Sequence, residues 1–415
     1  MLMKWTRTIV SLLTSFIKFP LHLIYFFSYY SIRDKKKWVF SSWEGEAYRG
    51  NCRYLFEYLQ SHHEINAIWI TKNKSIYNKL SDDLIQVEYA YSIKGIYTLL
   101  TAKAIFFSHG LYDVIPCFSR GALLISLGHV TYPIKKMSFT KNFSSQSFMR
   151  RLYSFLLNPY NHIKPSYEVV TSDYTKKSTM YLDSKVKSEL ERIVPLGLPK
   201  TDYLNDISSL SKNALWDNRL LNNIRGMDAK DKIVLFLPTW RGDENFSIFD
   251  FGYNSVEIND ILSCYGAKML INFHPFDETI RRKVVADLGD RVHSVSYQGN
   301  DITQLLCAAD IFITDYSSLY SDYLLFDRPM IFPKFAHNEY IRERELQIDY
   351  DSLPGKVVSN WKELGESLDQ YLSNKCDNYH DYKQSRIIWR DLIYSGTNDG
   401  GACERIYEFV KSKSI

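Results

Sequence analysis

The sequence predicts an α/β chain of two doubly wound, Rossmann-like domains facing each other across a cleft, and three observations predict it. At 415 residues the chain exceeds what one hydrophobic core holds, since single cores stop growing at roughly 250–300 residues. From Trp38 onward, short apolar runs alternate with amphipathic stretches, the signature of parallel strands covered by helices on both faces. A second series of the same kind begins after the polar stretch from Asn205 to Lys230.

Composition narrows the class further. A hydrophobic share of 45% with 24% charged residues is that of a folded globular chain and excludes disorder for its bulk. A net charge of +4, without any clustered basic motif, gives no reason to expect a nucleic-acid partner. Cys52, Cys117, Cys264, Cys307, Cys376 and Cys403 lie far apart with no CxxC pair, so neither a zinc site nor a disulfide framework is expected. They read as scattered buried thiols in a reducing compartment.

The elements follow in order. Residues 1–37 carry a strongly apolar middle interrupted by Lys18, Pro20 and His22, and a basic run, Arg33, Lys35, Lys36 and Lys37, closes the stretch. A spanning helix needs about 20 apolar residues with few charges, and no small-residue cleavage site follows. The segment therefore reads as an amphipathic helix lying in the membrane interface, with a spanning helix or a helix packed on the domain as alternatives. Next come the strand WVFSSW, the helix RYLFEYLQ, the strand AIWI, a helix from Ile93 to Thr101, and the strands AIFFS and ALLISLG. The second series contains KIVLFLP, AKMLINFHP, RVHSV, DIFITDYSS and PMIFP. The expected division is 1–34 as anchor, 35–205 as first domain, 206–228 as linker, 229–385 as second domain, and 386–415 as helices crossing back to the first.

In open α/β sheets ligands bind beyond the carboxyl ends of the strands. Three strand ends of the second series carry polar groups there: Arg241 after Pro-Thr-Trp, His274 before Pro275, and Asp315 with Ser317 and Ser318. A guanidinium fork and a helix start both suit phosphate. Asp315 or Ser317 as a simple helix cap is the alternative. The first series offers His109, His129 and the pair Lys135 and Lys136, which suits an anionic acceptor or a lipid headgroup, or is merely solvated. No metal-ligand cluster is visible.

Read together, the blocks SSWEGEAYRGNCRYLFEYL, SHGLYD, LGHVTYPIKK, GLPKTDYL, PTWRGD, NFHP, DIFITDYSSLYSDYLLFDRP, EYIRERELQIDYDSLPGKVV and NDGGACERI occur in one order. That order resembles the CDP-glycerol glycerophosphotransferases of teichoic acid and capsule polymer synthesis, from about Lys36 to the end. The resemblance implies a GT-B fold, with an acceptor domain first and a donor-nucleotide domain second. It implies that Asp315, Ser317, Ser318 and Arg241 hold the donor phosphates and that His274 faces the donor. Lys200 and Asp202 match the family's Gly-x-Pro-Arg-x-Asp block, with lysine in place of arginine. His129 matches the proposed base of Trp-His-Gly-Thr-Pro-Leu-Lys-Lys if one residue is inserted before the lysines; His109 stands in reserve.

The implied reaction is transfer of a polyol phosphate, glycerol phosphate first, from a CDP donor to a hydroxyl of a membrane-linked polymer, releasing CMP. A divalent cation accompanying the nucleotide is compatible with it. The implied place is the cytoplasmic face of the membrane, held peripherally. CDP-ribitol transfer, sugar transfer on the same fold, and an inactive membrane-attached polymer-binding module are the alternatives.

Overall fold

The computed structural model describes residues 20–61, 64–136, 160, 163–178, 190–205, 231–239, 247–272, 288–295, 302–373 and 382–413. The chain forms two compact units, one of Met1–His129, Ser138–Asp202 and Asp399–Ile415, the other of Val130–Met137 and Tyr203–Asn398.

The first unit is built on seven strands: β1 (Asp34–Phe40), β2 (Asn66–Thr71), β3 (Val87–Tyr89), β4 (Ala102–Phe107), β5 (Leu123–Ser126), β6 (Tyr167–Val170) and β7 (Ile193–Pro195). Their order across the sheet is β3-β2-β1-β4-β5-β6-β7, every pairing parallel. Trp38, Val39 and Phe40 of β1 are fully buried, as expected of a central strand covered on both faces. Phe40 stacks on Phe106 of β4 with ring centroids 4.5 Å apart. Helices α1 (Gly50–Leu59), α2 (Lys74–Asp82) and α3 (Ile93–Thr101) cover the sheet. Asn73 caps α2 by accepting from the N–H groups of Ser75 and Ile76, and Ser92 caps α3 through Gly95.

The basic run at the end of the N-terminal segment is folded into this unit. Arg33 points inward and donates to the carbonyls of Leu99, Ala102, Ser28, Phe118 and Arg120. Lys35, Lys36 and Lys37 lie in β1, and the Lys37 amine donates to Thr101 Oγ1. The helical stretch 20–28 rests on the domain through Tyr25 against Tyr160, at 5.6 Å between rings, and through the Arg120 guanidinium over Tyr25 and Phe26. Among the described residues, no helix is long and apolar enough to cross a membrane.

Helix α4 (Pro199–Asn205) follows β7. The second unit carries β8 (Lys232–Leu237), β9 (Ala267–Asn272), β10 (Val292–Val295), β11 (Ile311–Thr314), β12 (Met330–Pro333) and β13 (Lys356–Val358), again all parallel, in the order β10-β9-β8-β11-β12-β13. Its helices are α5 (Ser255–Cys264), α6 (Thr303–Ala308), α7 (Leu319–Tyr323), α8 (His337–Glu343), α9 (Trp361–Leu372) and α10 (Lys383–Tyr394). The core gathers Phe236, Ile271, Ile313, Ile331 and Trp361, whose indole N–H donates to the carbonyl of Ile248. Asn360 caps α9 at Glu363, and the Glu363 carboxylate accepts in return from the N–H of Ser359. Ile134 to Lys136 pair with the chain just beyond α8: Lys135 bridges Leu346 in antiparallel fashion, the Lys136 N–H donates to the carbonyl of Glu345, and the Gln347 N–H to that of Ile134.

After α10 the chain re-enters the first unit as α11 (Ala402–Lys413). There Tyr407 meets Trp38 with ring centroids 6.0 Å apart, and Lys411 pairs with Glu64.

Candidate functional site

Each sheet reverses strand order at one place, between β1 and β4 in the first unit and between β8 and β11 in the second. In an open α/β sheet the crevice at the carboxyl ends of the strands, where the order reverses, is the binding site. Both carry the polar residues singled out above.

In the first unit β1 runs into Ser41, Ser42 and Trp43, and β4 into Ser108 and His109. Trp43, Glu44 and Gly45 all take left-handed backbone, with φ of 51°, 58° and 84°. Such conformations cost non-glycine residues on the order of 1–3 kcal/mol each and cluster at functional sites. Gly45 admits no side chain, since a Cβ there would meet the Asp113 carbonyl at 2.8 Å. The turn is held by Asp113, whose buried carboxylate accepts from the backbone N–H of Glu44 (2.7 Å), Ser108 (2.7 Å) and His109 (3.1 Å), and from Ser108 Oγ (3.1 Å). Burial pushes its pKa up, against the pull of those four donors.

On this base four side chains lie in layers. The Arg49 guanidinium sits 3.6 Å over the Trp43 ring, Trp43 meets His109 at 4.3 Å, and His109 stacks on His129 at 3.9 Å and 12°. Burial, then the Arg49 charge, pushes His109 down to about 4. Burial, then His109, likewise pushes His129 down to about 4, with Lys200 adding to the effect. His129 keeps an open, exposed edge, and water there restrains the depression; its direction leaves the ring neutral at pH 7. Two neutral imidazoles side by side are able to accept a proton from an alcohol.

Sequence reasoning missed what holds His129 in place. Gly128 before it is left-handed, at φ 60°, and the buried Asn51 side chain donates to the carbonyls of Leu127 and Gly128. Asn51 sits at the start of α1, within the block SSWEGEAYRGNCRYLFEYL. The same asparagine accepts from the backbone N–H of Lys200, which is buried. Asp202, two residues on, is occupied otherwise: its two carboxylate oxygens accept from the N–H groups of Ala402 and Cys403, at 3.0 and 2.7 Å, capping α11.

In the second unit Asp315 is buried at the end of β11 and reaches across the switch point. Its Oδ1 accepts from the N–H of Thr239, beyond β8, and from that of Tyr316. Ser317 Oγ accepts from Leu319 N–H, as a cap does, while the Ser318 side chain makes no capping bond. Arg241 and His274 lie outside the described residues. Tyr316, fully buried, stacks on Tyr340 at 3.8 Å and hydrogen-bonds His337, which fixes the turn from below. Lys135 is half-buried; burial and then Arg344 lower its pKa, and Asp315 opposes them, so the amine lies within reach of the Asp315 charge. Lys136 is exposed and paired with Glu345 at 3.0 Å, at the edge of a cavity of about 380 Å³ that Lys334, His337 and Arg344 also line. Among the described residues there is no group of three or more His, Cys, Asp or Glu able to hold a metal ion.

These features have relatives. Residues 23–412 match the CDP-Glycerol:Poly(glycerophosphate) glycerophosphotransferase family. The teichoic acid poly(ribitol-phosphate) polymerase of Bacillus spizizenii is 28% identical over 233 residues, 54% of this chain and 34% of that protein. The ribitol-phosphate polymerase TarK of Staphylococcus aureus is 29% identical over 52% of this chain and 40% of its own, so the chain matches well under half the length of these relatives. The teichoic acid glycerol-phosphate transferase of Staphylococcus aureus is 25% identical over 91% of this chain and 93% of its own. Among solved structures, the wall teichoic acid polymerase TagF superposes with a TM-score of 0.69 at 18% identity, over 100% of this chain and 98% of that chain. The UDP-GlcNAc 2-epimerase of Neisseria meningitidis reaches 0.53 at 14% identity, over 90% and 98% of the two chains, so the double Rossmann-like GT-B architecture alone does not choose a chemistry. The match across nearly the whole chain does choose a family: the protein is a member of the CDP-glycerol:poly(glycerophosphate) glycerophosphotransferases.

Proposed function

We propose that the protein transfers a polyol phosphate, glycerol phosphate in the first instance, from a CDP-activated donor to a hydroxyl of a teichoic-acid-like or capsule polymer, releasing CMP. The observation that carries this reading is the imidazole of His129, just beyond β5, stacked at 3.9 Å on His109 at the switch point of the first sheet, in a chain aligned nearly end to end with a glycerol-phosphate transferase. The acceptor oxygen attacks the phosphorus distal to cytidine, its proton passes to His129, the new P–O bond forms, and the bond to CMP breaks with its electrons. General-base assistance of this kind contributes about 10²–10⁴ in rate. Asp315 shapes the turn, and Ser317 and Ser318, with Arg241 and His274, bind the donor phosphates as charge moves onto the leaving group. The first unit takes the acceptor and the second the donor; Lys135, Lys136 and Lys200 supply positive charge to these anionic substrates.

The acceptor is lipid-linked, and the enzyme works peripherally at the cytoplasmic face of the membrane. The stretch from Leu21 to Ile32 supports docking there, since Phe27, Tyr29, Tyr30 and Ile32 are 60–90% exposed. Ribitol phosphate is the second reading, favoured by the ribitol-phosphate polymerases among the relatives. Purified protein offered CDP-glycerol, CDP-ribitol and nucleotide sugars with a lipid-linked acceptor is expected to release CMP from a CDP-polyol alone. Release of a nucleoside diphosphate from a sugar donor, or CMP formation from none, overturns the proposal.

A further inference from the structure

The Ser108 hydroxyl stands among three partners, and its capacity is fully used. It lies 3.1 Å from Asp113 Oδ2, 2.8 Å from His109 Nδ1 and 3.4 Å from the backbone nitrogen of Trp43. A hydroxyl has one hydrogen to donate and two lone pairs to offer. Trp43 N–H must donate to it. Asp113, whose other partners are all backbone donors, takes the hydroxyl hydrogen. The remaining lone pair then accepts from His109 Nδ1–H, and His109 Nε2 is left bare. The tautomer of His109 is thus set by a carboxylate two bonds removed, and its ring is clamped between the Trp43 indole and the His129 imidazole. His109 cannot rotate to present Nδ1 without stranding Ser108.

We propose that His109 is a positioning residue: held through Ser108 by Asp113, its ring is the fixed surface on which the His129 imidazole lies flat, oriented to meet the acceptor hydroxyl. The proposal rests on the reading of His129 as base, and it assigns the two histidines different tasks. The charged groups that face the pair are Arg49 beyond Trp43, Lys200 on the His129 side and Asp113 beneath. Arg49 disfavours a positive charge on His109; Lys200 and the His109 ring disfavour one on His129, where a hydrogen bond to the Ser108 backbone and the Asp113 charge favour it. A flat neutral ring at 3.9 Å also excludes water from one face of His129. Misplacement of a reacting group by about 1 Å is enough to cost on the order of 10²-fold in rate.

The test uses the full chain and two readouts. Nitrogen-15 imidazole spectra report the tautomer and titration midpoint of His129 without any substrate. In His109→Ala the midpoint of His129 is expected to rise toward the ordinary imidazole value, since a burying ring and a neighbouring imidazole are both removed. His109→Phe keeps a flat ring in the stack and is expected to restore the wild-type spectrum. Ser108→Ala, which leaves both rings, is expected to shift it in the same direction as His109→Ala by a smaller amount. Turnover should follow: kcat falls about 10²-fold in His109→Ala with donor KM unchanged, and recovers in His109→Phe. An unchanged His129 spectrum in both His109→Ala and Ser108→Ala sinks the proposal. A dead His109→Phe with a restored spectrum also sinks it, because His109 nitrogen chemistry is then required. Turnover retained by His129→Ala would remove the base reading itself, and this one with it; loss of turnover there, beside an unmoved His129 spectrum in His109→Ala, removes this one alone.

Discussion

Asn51 bridges the turn that carries His129: its side-chain amide donates to the carbonyls of Leu127 and Gly128, each at 3.0 Å, while its oxygen accepts from Lys200 N–H at 3.1 Å. Asn51→Leu strands two buried backbone groups, Leu127 C=O and Lys200 N–H, and the half-buried Gly128 C=O, and leaving a buried group unsatisfied costs about 1–3 kcal/mol. Asn51→Asp keeps the shape but opposes an acceptor to two carbonyls. Both variants are expected to lower the urea midpoint and to reduce kcat. An Asn51→Asp protein with wild-type stability and rate would show that the bridge holds nothing.

Asp315 plays the corresponding part in the second sheet by joining the ends of β8 and β11. Asp315→Ala frees the N–H groups of Thr239 and Tyr316, so we expect a loss of about 1–3 kcal/mol and a weaker CDP-glycerol isotherm. Ser317→Ala removes a single cap and is expected to leave stability within about 1 kcal/mol while still weakening the donor. Equal donor affinity in both variants argues against this turn as the phosphate site.

Asp202 offers a contrast. Because both its oxygens serve α11, Asp202→Ala is expected to lower stability by roughly 0.5–2 kcal/mol, as lost caps do, with kcat unchanged at a temperature where the protein stays folded. A fall in kcat without a fall in stability would return Asp202 to the chemistry.

Glu168, in β6, gives a pH signature. Burial pushes its carboxyl up to about 8, and its Oε2 has no hydrogen-bond partner. Between the ordinary carboxyl value of 4.5 and about 8 the folded state holds a proton that the unfolded state has lost. Its contribution is therefore complete below pH 4.5 and disappears as pH rises through about 8, on the order of a few kcal/mol at ~1.4 kcal/mol per unit. Glu168→Gln should flatten that decline in unfolding measurements from pH 5 to 9. A decline of unchanged steepness would mean that another group causes it.

Membrane docking is tested on largely exposed side chains. Phe27, Tyr30 and Ile32 are 64%, 69% and 90% exposed, so serine at all three is expected to reduce sedimentation with anionic liposomes while leaving the thermal midpoint in place. Arg33 is a poor target for the same purpose, since its guanidinium ties five backbone carbonyls together.

The strand ends were legible in the sequence because a buried parallel strand is a nearly unbroken apolar run, and Asp315 or Ser108 interrupts it abruptly. Both sheets and the switch-point placement of His109 and Asp315 follow from that pattern. The inward turn of Arg33 was not legible, since a basic residue beside three lysines looks like solvated charge until the carbonyls around it are known. Nor was the cap made by Asp202, whose partners Ala402 and Cys403 lie 200 residues away. His129 and Lys135 stand in one sequence block, LGHVTYPIKK, yet they belong to different units, and Ile134 to Lys136 find their backbone partners at Glu345 to Gln347.

The position of α11 has a consequence for biogenesis. This helix brings Ile406, Tyr407 and Val410 to buried places in the first unit, yet the ribosome makes it only after the entire second unit. While it is missing, the flank of β1 around Trp38 stands uncovered. The nascent chain must keep that greasy face from neighbours for most of translation, so the half that emerges first is the half that matures last.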